Sequence, residues 1–287
     1  MAPALTLRTC GVMPAKGAIT EIVVSSGHQR RAGHRRRGTT NPLPERQPGG
    51  VRVESVTRTF RTRRGEVQAL RGMSLRAEPH EVVAVVGPSG CGKSTLLELI
   101  CGLQEADSGS VSSDPAALMP QRDLLLPWLG AADNAALALR AQGVPKSDAH
   151  ARVAPWLERF GLGEFERTKP AELSGGMRQR VAFLRTLLSG KRVLALDEPF
   201  ASLDAITRAE MRGWLVQVLA EEPRTVVLVT HDVEEAVLLG DLVVVMSPRP
   251  GHAVAEIEIE LPRPRRPTDL RVVDLRERAL AALRVER

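Results

Sequence analysis

A glycine-rich run in the first third of the sequence has the residue types that bind phosphate. Residues 87–95 read GPSGCGKST, which fits the P-loop pattern G-x-x-x-x-G-K-[ST]. Glycines let backbone N–H groups turn inward around an anion, and a helix beginning at Lys93 points its positive end at the same place. We expect Lys93 to reach the β- and γ-phosphates of a nucleotide and the Ser94 hydroxyl to bind Mg²⁺. The predicted phosphate-binding residues are Gly87, Pro88, Ser89, Gly90, Cys91, Gly92, Lys93, Ser94 and Thr95.

Two adjacent carboxylates end a hydrophobic stretch much later in the chain, where residues 193–198 read VLALDE. We expect this stretch to be a strand lying beside the strand that leads into the P-loop. Asp197 would then hold Mg²⁺ through water, and Glu198 would polarise the attacking water as a general base. The alternative is that the two acidic residues only cap the next helix.

The segments around these residues alternate between strand and helix patterns. Residues 82–86 form a β-branched run that is typical of a buried parallel strand. Further strands are predicted at 51–59, 70–77, 117–119, 193–196, 226–229, 242–246 and 254–261, and helices at 94–101, 134–142, 147–160, 177–188 and 270–283. Such alternation predicts a parallel sheet covered by helices. The mostly helical block at about 123–190 is predicted to be an inserted subdomain.

The positive charge is confined to the N-terminal fifty residues. They hold eight Lys and Arg against two Glu, so they account for the whole net charge of +6 and leave residues 51–287 neutral. Their Gly, Pro, Ser and Arg composition predicts disorder. The run 30–37 could contact anionic lipid or RNA, or the segment is a solvated tail or an extension from an upstream start codon. The predicted folded body thus carries no nucleic-acid footprint.

The remaining composition restricts the compartment and the membrane role. The three cysteines, Cys10, Cys91 and Cys101, have no metal-like spacing, which favours a reducing cytoplasm over a disulfide framework. The apolar runs are far too short to span a bilayer. Any membrane function therefore requires helices from another chain.

A second glycine-containing helix start lies between the P-loop and the acidic pair. Residues 173–180 read LSGGMRQR, and a Ser-Gly-Gly that opens a helix is another anion-binding terminus. One molecule does not need two such termini for one γ-phosphate. The run resembles the LSGGQ signature of ABC ATPases, with Met177 in place of Gln; the alternative is an N-capped helix with a glycine hinge. The predicted signature residues are Ser174, Gly175 and Gly176.

The resemblance to ABC ATPases covers about residues 51–250 and extends to further motifs in order. It implies that Gln121 is the glutamine that links Mg²⁺ to the transmembrane partner, and that Asp204 ends the D-loop, which runs between subunits. His231 matches the switch histidine that touches the γ-phosphate. Considered alone, it would be taken for a histidine without a catalytic role beside a helix cap. Phe60 takes the place of the ring that stacks on adenine, although a lone Phe is usually a packing residue.

The resemblance also implies an assembly and a fold. The fold would be a P-loop NTPase (RecA-like) α/β core with a mixed sheet, an antiparallel β edge and an inserted helical subdomain. The domains would be the N-terminal extension, 1–50, the ATPase domain, 51–250, and a strand–helix extension, 251–287. Two copies would bind two ATP head to tail at the cytoplasmic face of the membrane. Their partners would be an integral membrane permease and, indirectly, a periplasmic or extracellular solute-binding protein.

Finer motifs look like the nitrate, sulfonate and taurine importer branch. They are LPW at 126–128, DEPFASLD at 197–204 and MSPRPG at 246–251. This branch includes importers of thiamine-pyrimidine precursors, which stay an alternative, as does a soluble ABC ATPase outside transport. Trp128 would lie either near the permease docking surface or in the core. No residue names the cargo.

Overall fold

The computed structural model describes residues 50–63, 65–201 and 203–285. The predictions for the basic N-terminal segment and for Cys10 therefore lie, apart from Gly50, outside the described residues. Within the described part of the chain, no helix is both long and apolar enough to cross a membrane.

The described residues form two β-sheets and a set of helices. The strands are β1 (Val51–Thr62), β2 (Gly65–Ala77), β3 (Val82–Val86), β4 (Ser108–Ser113), β5 (Ala116–Met119), β6 (Val193–Asp197), β7 (Thr225–Thr230), β8 (Leu242–Met246) and β9 (Ala253–Glu258). The α-helices are α1 (Lys93–Ile100), α2 (Ala131–Ala135), α3 (Leu137–Ala141), α4 (Lys146–Arg159), α5 (Gly175–Leu187), α6 (Ala205–Glu221), α7 (Val233–Leu239) and α8 (Leu270–Val285).

The central sheet has the order β5-β6-β7-β3-β8-β9. Its first five strands are parallel, and β9 pairs antiparallel with β8 at the edge. All five residues of β3 are buried, as expected for a strand covered on both faces. Because side chains alternate along a strand, Val82 and Val86 pack into one hydrophobic core and Val83 and Val85 into the other.

The second sheet is antiparallel, with the order β2-β1-β4. Its buried face packs on α1 and on one face of the central sheet, so that Val53 and Leu70 share a core with Leu96. This sheet places the end of β1 next to the P-loop.

The segment containing α2 to α5 is packed through aromatic rings. Phe160 stacks on Phe183 with centroids 5.9 Å apart, and its ring lies 4.5 Å from that of Trp214 on α6. Both phenylalanines are almost fully buried. Ring pairs at these distances contribute about 1 kcal/mol each beyond the burial of their area. The few aromatic residues of the chain thus join the helical segment to the rest of the fold.

The structure corrects one sequence expectation about topology. The strand that ends in Asp197, β6, does not lie beside β3, because β7 pairs with both strands and separates them. The carboxyl ends of parallel strands still meet at one edge of the sheet, and α1, which follows β3, packs across β7 against β6. The acidic strand is therefore close to the P-loop helix without being its neighbour in the sheet.

Candidate active site

The P-loop connects the buried strand β3 to α1. Gly90 and Gly92 have φ of 77° and 108°, a backbone region that favours glycine. A Cβ on Gly92 would lie 2.8 Å from the carbonyl oxygen of Ala69, so the close approach of β2 also requires glycine. The Lys93 Nζ donates to the carbonyl oxygens of Gly87, at 2.9 Å, and Pro88, at 3.1 Å. The loop thus curls around its own lysine.

The acidic strand meets this loop through a hydroxyl group. Asp197 ends β6, is 8% exposed, and is hydrogen-bonded to the side chain of Ser94. Burial raises the pKa of Asp197, and the bond to Ser94 opposes that rise. The structure therefore brings together Ser94 and Asp197, two of the three residues predicted to bind Mg²⁺, which lie about a hundred positions apart in the sequence.

Two side chains from other strand ends converge on Glu198. The Gln121 Nε2 donates to the Glu198 Oε2 at 3.1 Å, and the His231 Nδ1 lies 3.2 Å from the same oxygen. Glu198 has a φ of 47°, and its backbone N–H donates to the carbonyl oxygen of Val229 at 2.8 Å. The carboxylate thus lies between the side-chain amide of Gln121 and the imidazole ring of His231.

Gln121 and Glu198 line a cavity of about 380 Å³, whereas His231 does not. Ten predicted site residues line it: Phe60, Ser89, Gly90, Gly92, Lys93, Ser94, Thr95, Gln121, Asp197 and Glu198. Phe60 pairs across the strands with Val67, which also lines the cavity, and the Arg58 guanidinium lies 5.0 Å from the centroid of its ring. An arginine on one face of the ring and a cavity beside it suit a flat base on the other face.

The donor set in this cavity fits Mg²⁺. Mg²⁺ prefers oxygen ligands and is usually held by one or two carboxylates together with the phosphates of a substrate. Three side chains supply oxygen atoms at the cavity wall: the Ser94 hydroxyl, the Asp197 carboxylate and the Gln121 amide. No cluster of three or more His, Cys, Asp or Glu suited to a metal occurs in the described part of the chain. Phosphate oxygens and water would complete the coordination.

The predicted signature and D-loop residues do not line this cavity. Ser174 N-caps α5, and its Oγ accepts the backbone N–H of Met177 at 3.2 Å. Asp204 N-caps α6 by accepting the N–H groups of Ile206 and Thr207. A hydrogen bond from the Thr207 side chain, together with these backbone bonds, lowers the pKa of Asp204. The Ser-Gly-Gly helix start therefore lies outside the cavity of its own chain.

The remaining predicted residues of the P-loop and the signature do not line the cavity. The carbonyl oxygens of Gly87 and Pro88 hold Lys93, and Cys91 is buried. Burial raises the pKa of the Cys91 thiol. Gly175 and Gly176 begin α5, and a Cβ on Gly176 would touch Leu203, next to the D-loop.

Three lining residues were missed from the sequence, namely Val67, Ala69 and Arg249. Val67 and Ala69 occupy alternate positions of β2, and a correct pairing of β2 with β1 would have placed Val67 opposite Phe60. Arg249 belongs to the MSPRPG run, which the sequence marked only as a feature of a subfamily.

Comparisons with known proteins agree with this geometry. The sequence profile of the ABC transporter family matches residues 70–201. The formylaminopyrimidine import ATP-binding protein ThiZ of Halalkalibacterium halodurans is 44% identical over 202 residues, which are 69% of this chain and 78% of that protein. The chain belongs to the ABC transporter family. This ABC ATPase is also 42% identical over 220 residues to the taurine import ATP-binding protein TauB of Burkholderia thailandensis, covering 74% of this chain and 85% of that protein.

Solved structures show the same fold. A dimeric ATP-binding cassette in a post-hydrolysis state, bound to ADP and Pi, superposes with a TM-score of 0.68 at 28% identity. The match covers 74% of this chain and 100% of that one. The predicted α/β P-loop NTPase fold, with a mixed sheet and an antiparallel edge, is confirmed.

Proposed function

We propose that this ABC ATPase binds and hydrolyses ATP as the motor subunit of an importer, bound peripherally to the cytoplasmic face of the membrane through a separate permease. The observation that carries the proposal is the convergence of Gln121 and His231 on Glu198 at the edge of a cavity lined by the P-loop. A nucleotide-binding module without catalysis would have no need of a carboxylate held in this way. The names of the relatives as import ATP-binding proteins support the transport role.

The residues divide the reaction among themselves. Lys93 and the loop N–H groups bind the phosphates, and Phe60 stacks on the base. Mg²⁺, held by Ser94, Asp197 and Gln121, would neutralise charge on the transferred phosphoryl group. Glu198 accepts a hydrogen bond from the attacking water and takes up its proton as the bond from water oxygen to the γ-phosphorus forms and the bond from that phosphorus to the bridging oxygen breaks, so that ADP leaves. His231, which lies beside Glu198, would contact the terminal phosphate.

The position of the signature helix supports a head-to-tail dimer. Ser174, Gly175 and Gly176 begin a helix whose N-terminus is an anion site, yet they lie outside the cavity of their own chain. A second copy would bring this helix start to the phosphates, and the dimeric state of the related cassette is consistent with that arrangement. Each of two ATP molecules would then lie between a P-loop and the partner's signature.

An exposed apolar surface beside the site suits the permease. Trp128 is 67% exposed and Leu124 is 54% exposed, so the alternative of a core tryptophan is wrong. Arg185 donates to the carbonyl oxygens of Asp123, at 2.7 Å, and Leu124, at 2.8 Å. The segment after Gln121 is thus tied to α5, which would couple the nucleotide site to a partner bound at Trp128.

We infer a cargo of the nitrate, sulfonate or taurine type from the sequence motifs and the taurine-importer relative. A thiamine-pyrimidine precursor is the second candidate, which the formylaminopyrimidine-importer relative favours. A periplasmic or extracellular binding protein would present the solute to the permease.

Co-purification from native membranes tests the transport role. We would tag the C-terminus, extract membranes in mild detergent, and identify the bound proteins by mass spectrometry. A multi-helix permease retained by the wild type and lost in Trp128→Glu, while Leu270→Glu retains it, is the expected result. Leu270 is an exposed apolar residue at the start of α8, which packs on β8 and β9 at the opposite edge of the central sheet from β5. Purely soluble partners would refute transport and favour a non-transport ABC ATPase.

A further inference from the structure

The turn between β8 and β9 carries an arginine to the mouth of the nucleotide cavity. Arg249 is exposed and lines the cavity together with Lys93 and Ser89. A Cβ built on Gly90 would lie 3.1 Å from the Arg249 Nη2. The guanidinium therefore lies directly against the apex of the P-loop, in a position that none of the predicted motifs assigns.

The turn that presents Arg249 is anchored on both sides. The Gly251 N–H donates to the carbonyl oxygen of Ala69 at 2.8 Å, and the Arg71 N–H donates to that of Gly251 at 3.0 Å. Within the turn, the Ser247 N–H donates to the carbonyl oxygen of His252 at 3.0 Å. The backbone that carries Arg249 is thus held against β2, so the approach to the P-loop is a property of the fold rather than of one mobile side chain.

A second contact fixes the turn to the P-loop itself. A Cβ on Gly251 would collide with the carbonyl oxygen of Cys91, so the two backbones touch. Because this contact leaves no room for a side chain at Gly251, the chain can bring Arg249 to the cavity only with glycine two residues later. The glycine of the sequence Arg-Pro-Gly is therefore required for steric reasons.

The Arg249 guanidinium has no partner within the described part of the chain, where it makes neither a hydrogen bond nor an ion pair. Two carboxylates, Asp197 and Glu198, line the same cavity and leave it unpaired. A guanidinium has five donors in a planar fork that matches two oxygens of a phosphate group. An unpaired guanidinium group beside the anion-binding N–H groups of the P-loop is therefore well suited to bind phosphate.

We propose that Arg249 binds a phosphate group of the nucleotide, as a second cation in addition to Lys93. This inference rests on the proposed function, because it requires ATP in the cavity. Lys93 is 6% exposed and holds the loop from inside, whereas Arg249 approaches from the turn outside it. The nucleotide would then be clamped across the P-loop.

Equilibrium binding of a fluorescent ATP analogue to dilute, monomeric protein tests the clamp. Arg249→Gln should weaken binding about tenfold, in keeping with the loss of a charge-assisted hydrogen bond at an exposed site. Arg249→Lys should restore part of the affinity, since it keeps the charge but not the fork. The matched control is Arg152→Gln, which removes an exposed arginine that does not line the cavity. Raising the salt concentration should shrink the difference between wild type and Arg249→Gln.

The remaining outcomes overturn the inference in distinguishable ways. Unchanged affinity in Arg249→Gln, with binding lost in Lys93→Ala, would overturn the clamp and leave the proposed function standing. Unchanged monomer affinity with loss of ATP-driven dimerisation in a Glu198→Gln background would make Arg249 an interface residue, which also overturns it. Absence of ATP binding by the wild type would overturn the proposed function and the clamp together.

Discussion

At the scale of single residues, the site depends on how Glu198 is held. Its positive φ is uncommon for a residue with a side chain, and backbone strain of this kind persists only where the surroundings impose it. The N–H bond to Val229 and the contacts of the carboxylate with Gln121 and His231 supply that constraint. The orientation of the proposed general base is therefore set by β7 and the residue that follows it, and by the segment after β5.

Replacement of this base should separate ATP binding from hydrolysis. Glu198→Gln keeps the size of the side chain but removes the proton acceptor, so we expect turnover to fall by about a hundredfold or more while ATP affinity is retained. Phosphate release and analogue binding measure the two quantities. Glu256→Gln, at an exposed position of β9, is the control that should behave as wild type. Near-normal turnover in Glu198→Gln would assign the base to another group.

A buried carboxyl in α7 should make stability depend on pH. Glu235 is 2% exposed, and its Oε1 has no hydrogen-bond partner. Burial, together with the charge of Asp232, raises the pKa of Glu235 to about 8, against the opposing effects of Arg212, Arg208 and the Thr230 side chain. The folded protein therefore keeps a proton that the unfolded chain releases above its normal pKa.

The sign of the effect follows from this proton. Stability should fall as the pH rises from the unfolded pKa, near 4.5, to about 8, and level off above that. Glu235→Gln is neutral throughout, so we expect it to unfold at a higher temperature than wild type at pH 8 and at a similar temperature at pH 5. Thermal unfolding at both pH values measures this. An equal shift at the two values would show that Glu235 is not protonated in the fold.

Residue types and their spacing were sufficient to identify the motifs, but not to identify the residues that distant segments bring next to them. Glycines, a lysine and a hydroxyl at fixed spacing identify the P-loop, since its chemistry needs those types. Arg249 carries no such pattern, because its role depends on a turn that folds back on β2 from far along the chain. Contacts that join distant segments in this way are not visible in local spacing.

At the scale of elements, the segment after β5 is organised by one buried amide. Asn134, in α2, is fully buried. Its Nδ2 donates to the carbonyl oxygens of Leu126, Leu129 and Gly130, and its Oδ1 accepts the Leu126 N–H at 2.7 Å. The amide thus closes the loop that displays Trp128.

Removal of the Asn134 amide should lower the free energy of unfolding more than removal of an exposed amide does. Asn134→Ala leaves several buried backbone groups without a partner, so we expect the free energy of unfolding to fall by about 2 to 3 kcal/mol. Gln142→Ala, an exposed amide with one bond to the Ser189 carbonyl, should cost less than about 1 kcal/mol. Urea unfolding gives both values. Equal losses in the two variants would mean that the loop does not depend on Asn134.

The prediction of helices and strands succeeded where the sequence pattern was strong. It failed where contacts with distant segments determine the secondary structure. The valine run of β3 was placed at its observed bounds, 82–86. Strand β4 was missed because SGSVSS has almost no strand signal; it forms since it pairs with β1. The predicted helix 134–142 starts earlier, at Ala131, and is interrupted at Ala136 into two short helices. Tertiary contacts override local propensity at both places.

At the scale of the whole molecule, the P-loop lines the cavity of the chain and the proposed signature residues do not. The cavity lies at the ends of β3 and β6, while the helix with the proposed signature begins beside Leu203 of the predicted D-loop and Thr207. Ser174→Arg should therefore leave ATP binding to the monomer intact and abolish turnover, because it spoils only the site that the partner completes. Lys93→Ala should abolish both.

Mixing these two inactive variants tests the dimer directly. In a mixed dimer, one site combines the intact P-loop of the Ser174→Arg chain with the intact signature of the Lys93→Ala chain, and the other site carries both changes. We therefore expect the mixture to regain ATPase activity, at a level limited by the fraction of mixed dimers. Each variant alone, and a mixture of Lys93→Ala with Glu198→Gln, which share the damaged side of the site, serve as controls that should stay inactive. Failure of the first mixture to recover, with dimers present by light scattering, would mean that each chain completes its own site.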